Sequence, residues 1–334
     1  MNDYLKKQNK KLSLRSRKIH HQALNMISRR NIRIKVFQTI YELGQQHDYV
    51  SSTQAKQYFD TKLNDTSSLL AATCHMLFLV AEYVLIHANQ KASKHIPTAD
   101  DLNINTKLAG NIILQNLKKN ELFSQVLKEN KLTNLFDDEL IKKIFVSLIE
   151  TPEYKTYISS PERNAQDEKN ILDFIVHQFI FKNDYASSFL EEQFLSWQGD
   201  AEMIETWMDK IFLNATKFKF NQLLSAEKLE FAHELLVAYF EKKEVVFQLI
   251  EPKLVNWDAE RVALIDLILL HLGICELLYF PSIPVKVTIN EYIDLAKSYS
   301  TMQSGQFING LLDNVRKELT AENKITKLDY KGKS

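Results

Sequence analysis

Glycine and proline are scarce in this sequence, which contains only 7 Gly and 6 Pro among 334 residues. Glycine-rich nucleotide-binding folds and turn-dense β-sandwiches need both residues at many positions. Long helices joined by short loops do not, because glycine and proline interrupt helices. Hydrophobic residues make up 45% of the chain, which is enough for such helices to pack into a core. The predicted fold class is therefore all-α.

The most apolar stretch, residues 262–280, is predicted to be a buried helix and not a membrane span. Asp266, His271 and Glu276 interrupt it, together with Gly273, and charged groups are costly at membrane depth. The basic N-terminus lacks the apolar segment of a secretory signal. Two cysteines are too few for a disulfide framework and suit a reducing compartment. We expect a cytoplasmic protein with no membrane partner.

Positive charge is concentrated at the N-terminal end of the chain. Residues 1–35 contain eleven Lys and Arg and a single acid, Asp3, although the formal net charge of the whole chain is zero. A basic end on an otherwise acidic chain predicts a polyanionic partner such as RNA. Residues 1–27 are predicted to form a basic arm that contacts phosphates without reading sequence. The alternative is a tail that only increases solubility.

The first helix is predicted to begin after Ser28 as N-cap and to end at Gly44. Three arginines, Arg29, Arg30 and Arg33, lie at its N-terminal end, where the helix macrodipole disfavours cations. A phosphate ligand would explain this arrangement, and a solvated face is the alternative. Tyr41 has an aromatic ring that either stacks on a base or lies at the edge of the core.

Residues 47–225 are predicted to form a helical module and not a flexible loop. A structureless connection of this length would be abnormal inside a compact fold, and the apolar segment Leu69–Ala88 needs burial. Thr98 and Asp101 have the spacing of a capping box. Six further helices are predicted at 106–118, 120–129, 137–150, 166–182, 185–196 and 200–215.

The last third of the chain is predicted to contain five helices. A break at Asn256-Trp257-Asp258 separates the first two, 226–239 and 243–254, from a long buried helix at 260–279. Pro284 is expected at the first position of a helix that reaches Tyr299. Ser304 is expected to open the last helix, whose inward face contains Phe307, Leu311, Val315 and Leu319.

Four motifs in these helices resemble one protein family. INEYIDLAK at residues 289–297 resembles I-N-E-x-x-x-L-A-K, and FINGLLD at residues 307–313 resembles F-V-N-G-V-L-D. The pattern of Trp257, Arg261 and Asp266, followed by Glu276-Leu277, resembles W-x(3)-R-x(4)-D…E-L. The first helix, with its arginines and with Gln38, Ile40 and Tyr41, resembles the fourth motif, an arginine-rich first helix that ends in a Q-A-L-Y-like sequence. In this order, over residues 28–46 and 226–325, they resemble the NusB transcription-antitermination family.

The resemblance implies a fold of two small helical bundles and a role in RNA binding. NusB proteins bind the boxA element of ribosomal-RNA leaders together with NusE, a small-subunit ribosomal protein, and help RNA polymerase read through terminators. The chain looks like an extended form, with an inserted helical module at 47–225 and a polar tail at 326–334. The same domain also precedes the catalytic domain of ribosomal-RNA cytosine methyltransferases, but the sequence lacks the G-x-G motif of such a domain.

The candidate site combines the first helix with residues in and beside the two motifs at 289–297 and 307–313. The residues predicted to bind RNA are Arg29, Arg30, Arg33, Tyr41, Lys286, Lys297, Ser304, Gln306, Phe307 and Asn309. Phe307 is either part of the core or a platform for RNA, and Asn309 is a candidate hydrogen-bonding reader. Asp266 is a candidate contact for a protein partner.

No catalytic, phosphate-loop or metal-ligand motif occurs in the sequence. His271 and Glu276 are therefore interpreted as satisfied polar groups of the core. We expect no cofactor, no metal, no small-molecule substrate and no enzymatic activity. The leading hypothesis is an RNA-binding antitermination adaptor. The alternatives are a helical protein–protein scaffold with little or no RNA role and, more distantly, a hydrolase hidden in the inserted module.

Overall fold

The computed structural model describes residues 29–45, 50–254 and 263–328, and every regular element in these ranges is helical. The predicted all-α class is confirmed. The basic arm at 1–27, Ser28 and the break at Asn256-Trp257-Asp258 lie outside the described residues.

Most of the first ten helices lie where the sequence predicted them, whereas α7 was not predicted and α2 extends well beyond the predicted apolar segment Leu69–Ala88. Their bounds are α1 Arg29–Gly44, α2 Ser52–Ala92, α3 Ala99–Leu102, α4 Ile112–Lys118, α5 Glu121–Glu129, α6 Asp138–Ile149, α7 Pro152–Ser159, α8 Ala165–Ile175, α9 Asp184–Gln193 and α10 Trp197–Leu213. The last five are α11 Ala226–Glu241, α12 Lys243–Ile250, α13 Leu264–Tyr279, α14 Val285–Tyr299 and α15 Met302–Ala321. Short 3₁₀ turns occur at Lys107–Gly110, Leu132–Asn134 and Glu251–Lys253, and a π-helical segment, Val176–Phe181, continues α8.

The chain divides into two compact units. Of the described residues, 63–223 form the first unit, and 29–45, 50–62, 224–254 and 263–328 form the second. The helix α2 begins in the second unit and continues into the first.

The core of the first unit is built around α2. The Cys74 Sγ of this helix lies 3.5 Å from the Met208 Sδ of α10, and its Tyr83 ring lies 5.3 Å from the Phe145 ring of α6. Among the described helices, α2 is long and apolar enough to cross a membrane, but 72% of its apolar window is buried inside the protein. A core helix of a soluble protein meets the same length and composition test.

Polar residues at the helix starts determine most boundaries in the first unit. The predicted capping box is confirmed, since Thr98 accepts from Asp101 N and the Asp101 carboxylate accepts from Thr98 N. The predicted helix 106–118 is divided because the Asn111 side chain accepts hydrogen bonds from the backbone N–H groups of Ile113 and Leu114, which starts α4 there. The described N-caps whose side chains act in this way also include Asn120, Asp137, Thr151, Asn164 and Asn183.

The loop between α7 and α8 is held by buried polar contacts. Lys107 Nζ donates to the carbonyl oxygens of Tyr157, Ser160 and Glu162 at 2.8–2.9 Å. The buried carboxylate of Glu168 accepts from the Tyr157 hydroxyl and from Arg163, both at 2.9 Å. These contacts satisfy the carbonyl groups at the end of α7 and restrain the loop on both sides.

The second unit surrounds α13, whose residues from Ile268 to Leu277 are all buried. Helices α1, α11, α12, α14 and α15 all pack against it. A Cβ atom at Gly273 would lie 3.0 Å from the Leu312 Cδ2 and 3.3 Å from the Tyr292 Cδ2, so glycine permits the close approach of α13 to α14 and α15. The predicted inward face of α15 is confirmed, because Phe307, Leu311, Val315 and Leu319 are buried.

Two helix starts differ from the sequence prediction. Pro284 is the N-cap of α14 and not its first helical residue. Thr301 is the N-cap of α15, and Ser304 occupies the third helical position of a capping box in which each side chain accepts from the other residue's backbone N–H. Serine suits either end of such a box, so the sequence alone did not separate the two positions.

Limited digestion with trypsin provides a test of the packing of the first unit. We expect the earliest cut between Leu63 and Leu223 to follow Lys91 or Lys94, at the exposed end of α2, and a cut after Arg163 to be slower because of the contacts around Lys107. Mass spectrometry of a time course identifies the order of the cuts. Early cleavage after Lys142, Lys143 or Lys169, within α6 and α8, would contradict a packed module.

Candidate nucleic-acid interface

The most buried charged contact in the second unit joins α1 to α13. Only 2% of Arg33 is exposed, and its guanidinium donates two hydrogen bonds of 2.8 Å, from Nε and Nη2, to the two carboxylate oxygens of Glu276. The Nη1 atom also lies 3.7 Å from the Glu291 carboxylate. Such a paired, two-point contact fixes both the distance and the rotation of α1 relative to α13.

The carboxylate of Glu276 also contacts α14. It is fully buried and accepts from the Thr288 hydroxyl at 2.7 Å and from the Tyr292 hydroxyl at 3.3 Å. Burial alone would lower the pKa of Arg33, but the hydrogen bonds and charge of Glu276 raise it above its ordinary value, so Arg33 stays protonated. Burial and the charge of Glu276 also raise the pKa of Tyr292 well above its ordinary value. The prediction that Glu276 is a satisfied core group is correct.

Arg33 was predicted to contact RNA, and in the structure its guanidinium is buried and paired with Glu276. The other two arginines of α1 are partly exposed and also have acidic partners. Arg29 Nη2 lies 3.1 Å from Glu227, and Arg30 Nη1 lies 3.7 Å from Asp294. Carboxylates of the protein therefore compensate for all three arginines at the positive end of α1 in this structure.

Replacing single arginines compares how much the buried ion pair and a surface ion pair contribute to stability. We expect Arg33→Met to lower the free energy of unfolding by about 3–5 kcal/mol, because it leaves the Glu276 charge buried without its partner. The matched variant Arg30→Met removes only a partly exposed pair and should cost less than about 1 kcal/mol. Urea unfolding measures both values. Equal costs for the two variants would contradict the structural role of Arg33.

Helices α1, α14 and α15 meet at a surface around Asp294. Arg30 Nη1 and Lys297 Nζ lie on either side of its carboxylate, at 3.7 and 3.8 Å. The Lys297 side chain extends over the first turn of α15, since a Cβ atom at Gly305 would lie 2.9 Å from the Lys297 Cγ. We call Arg30, Asp294, Lys297, Gln306 and Asn309 the Asp294 surface; the last two are exposed on α15.

Three other predicted site residues lie beneath the surface. Ser304 is 5% exposed and donates a hydrogen bond of 2.8 Å to Asp266 Oδ2. Asp266 is 6% exposed, and its buried Oδ1 has no hydrogen-bond partner within the described ranges. Phe307 is 8% exposed and packs into the core. Ser304 and Phe307 were both predicted to contact RNA, and both are buried; for Phe307, burial is the arrangement expected of a core residue.

The two remaining candidates lie further along the same helices. Tyr41 is 37% exposed, and its ring lies 6.2 Å from that of Phe37, which in turn lies 5.4 Å from the ring of Tyr299. Lys286 is exposed in the first turn of α14. It is eleven residues before Lys297, about three turns, so the two lysines are on the same side of the helix.

One ring nitrogen of a buried histidine on α13 has no hydrogen-bond partner among the described residues. His271 is 7% exposed, its ring lies 4.4 Å from that of Tyr239, and its Nε2 makes no hydrogen bond with any residue that the structure describes. Burial, with a smaller effect from the charge of Lys243, lowers the pKa of His271 to about 4. The prediction that His271 is a satisfied polar group is therefore wrong for this nitrogen.

The lowered pKa of His271 predicts a pH-dependent stability. Between about pH 6.5 and pH 4, the unfolded chain binds a proton at His271 that the folded protein does not bind. The free energy of unfolding should therefore fall as the pH falls through this window, by roughly 3 kcal/mol in total from this residue. Urea unfolding at several pH values should show a flatter dependence for His271→Phe, whereas the control His95→Phe, at an exposed histidine, should match the original protein. An unchanged slope in His271→Phe would contradict the prediction.

Comparison with known proteins assigns residues 195–317 to a recognised class. A sequence profile of the NusB family matches residues 195–317. The transcription antitermination protein NusB of Finegoldia magna is 38% identical over 96 residues, which are 29% of this chain and 70% of that protein. The NusB proteins of Thermodesulfovibrio yellowstonii and Bacillus thuringiensis are 40% and 39% identical over 94 and 93 residues, which cover 28% of this chain and 62% and 72% of theirs. The search of solved structures found no match.

The fold and the matched residues define an all-helical protein of the transcription-antitermination class. The chain belongs to the NusB family. The profile covers α10 to α15 almost completely and includes Lys286, Lys297, Gln306 and Asn309. Helix α1, with Arg30 and Tyr41, lies outside the residues matched by the profile, and sequence reasoning alone did not identify Asp294 as the residue between Arg30 and Lys297.

Proposed function

We propose that this protein is a cytoplasmic, non-catalytic antitermination adaptor that binds boxA-like leader RNA together with NusE. In this role it supports read-through by RNA polymerase. The observation that supports the proposal most strongly is membership of the NusB family, whose relatives are transcription antitermination proteins. The basic sequence at residues 1–35 is consistent with a polyanionic partner.

The Asp294 surface is the proposed RNA contact. Its two ion pairs are long, at 3.7 and 3.8 Å, and their side chains are 31–53% exposed, so they contribute little to stability. Arg30 and Lys297 are therefore able to turn towards phosphate groups at low cost. The exposed amides of Gln306 and Asn309 offer both donors and acceptors to unpaired bases. Tyr41 adds an aromatic face for stacking, and Lys286 and Arg29 add positive charge at the edges.

We propose a discontinuous RNA-binding domain formed by residues 28–46 and 226–325. The segments 47–225 and 1–27 are then the helical insertion and the basic arm, and 326–334 is the polar tail. In this arrangement the insertion separates α1 in sequence from the helices it packs against, and Arg33 and Glu276 rejoin them across 243 positions.

A groove in the second unit favours a second candidate function, that of a protein–protein scaffold. Its volume is about 710 Å³, and its lining is mainly apolar, with Leu229, Val237, Tyr279 and Phe280 among its residues. Apolar grooves of this kind accept helices or side chains of partner proteins. In the scaffold hypothesis, the interaction with RNA is weak or absent.

RNA-binding measurements with and without NusE from the same organism distinguish the two functions. We expect NusE to increase the affinity for boxA-like RNA in fluorescence anisotropy, because one small helical domain offers little surface for reading bases. Arg30→Ala and Asn309→Ala should each reduce binding by about 1–3 kcal/mol. The matched control is Lys317→Ala, which removes an exposed lysine elsewhere on α15 and should have little effect. Unchanged affinity throughout a NusE titration would favour the scaffold.

A further inference from the structure

Lysines are unevenly distributed over the first unit. Between Leu63 and Leu223 the sequence contains 22 acidic and 16 basic residues, so this part of the chain is acidic as a whole. Six of the basic residues nevertheless fall in two short segments, with only Glu121 and Glu129 as acids among them. We call these six the lysine surface: Lys118, Lys119, Lys128, Lys131, Lys217 and Lys219.

A buried asparagine holds the two lysine segments together. Asn120 is 3% exposed, and its Nδ2 donates to the carbonyl oxygens of Ala215 and Phe218 at 2.8 and 2.9 Å. Its Oδ1 accepts from Phe123 N and caps α5. The Phe123 ring also lies 5.2 Å from the Phe220 ring. The junction of α4 and α5 and the segment after α10 are therefore fixed against each other, although about 100 residues apart in sequence.

Three residues of the lysine surface line a polar cleft of about 480 Å³. Lys118, Lys119 and Lys128 line it together with Ser124 and Gln125, and the two carboxylates of Glu121 and Glu129 also face it. Lysine ammonium groups, a hydroxyl and an amide are the donors that bind phosphate oxygens. The two carboxylates reduce the positive charge of the cleft but leave an excess of lysines.

The lysines differ in whether their side chains already contact an acidic or aromatic residue of the protein. Lys118 Nζ lies 3.4 Å from Glu82 Oε1 and above the ring of Phe78. Lys119 and Lys217 are exposed, and neither has a carboxylate within ion-pair distance among the described residues. These two side chains are therefore the ones most readily available to an external anion.

We propose that the lysine surface is a second RNA-binding surface, which contacts the phosphate backbone without reading sequence. This inference rests on the proposed RNA-binding function. Spaced cations around a polar cleft match the repeated charges of an RNA strand. A protein partner would instead favour a centre of aromatic and apolar residues, which this cleft does not have. RNA longer than the boxA-like element would supply the additional phosphates.

Charge reversal at the two unpaired lysines tests the proposal in the full-length chain. The variant is Lys119→Glu with Lys217→Glu, and the matched control is Lys142→Glu with Lys182→Glu, which makes the same charge change at exposed lysines elsewhere in the first unit. The probes are a boxA-like RNA and the same RNA extended by a run of uridines. Fluorescence anisotropy with NusE present, over a range of salt concentrations, gives the affinity and its salt dependence, and circular dichroism verifies the fold.

We expect the Lys119/Lys217 variant to bind the extended RNA roughly tenfold more weakly than the original protein does. Its slope of log affinity against log salt should be smaller by about 1.4, because each phosphate contact with a single strand contributes about 0.7. Binding of the short RNA should change less, and the control variant should bind the extended RNA within about twofold of the original protein. This contrast, in folded variants, supports the second surface.

Two results overturn the inference and leave the proposed function intact. One is an unchanged affinity and slope for the extended RNA while the original protein binds the boxA-like RNA normally. The other is weaker binding of NusE or RNA polymerase with RNA affinity unchanged, which makes the lysine surface a protein interface. If the original protein itself bound neither RNA, the proposed function would fail, and the lysine surface with it.

Discussion

The buried pair of Arg33 and Glu276 is the contact on which the second unit depends. It joins α1 to α13, and the same carboxylate reaches Thr288 and Tyr292 on α14. Burying charges is costly, and the cost is offset only when geometry and hydrogen bonding are good, as they are here. A two-point contact between a planar guanidinium and a carboxylate also tolerates little rotation. The pair therefore sets the face that α1 presents, and with it the positions of Arg30 and Tyr41.

The candidate RNA site has a buried support and an exposed layer. Ser304 and Phe307 anchor the start of α15, and the hydroxyl of Ser304 reaches Asp266 on α13. Gln306 and Asn309 project from the same helix into solvent. Residues of one short motif thus have different roles, because successive positions of a helix point in directions about 100° apart. Support from a packed core holds polar groups in place, which lowers the entropic cost of binding.

The first unit has a core of its own around α2, and its polar contacts concentrate at loops. Glu168 and Lys107 restrain one loop, and Asn120 restrains another. Each satisfies backbone groups that would otherwise be left unpaired at a helix end. By holding the segment of Lys217 against the end of α4, Asn120 also concentrates positive charge on a unit that is acidic as a whole. The first unit therefore has both a packed core and a defined arrangement of surface charge.

The sequence by itself determined the helical class, most helix positions and the family, because apolar periodicity, capping residues and short motifs are local properties. It did not determine which polar side chains are exposed. Arg30 and Arg33 are three residues apart and both carry a guanidinium, yet one is partly exposed and the other is buried on Glu276, 243 positions away. The placement of Asp294 between Arg30 and Lys297 likewise arises only when α1 packs beside α14. Burial and ion pairing depend on residues distant in sequence, so only the tertiary structure decided which of the predicted site residues face solvent.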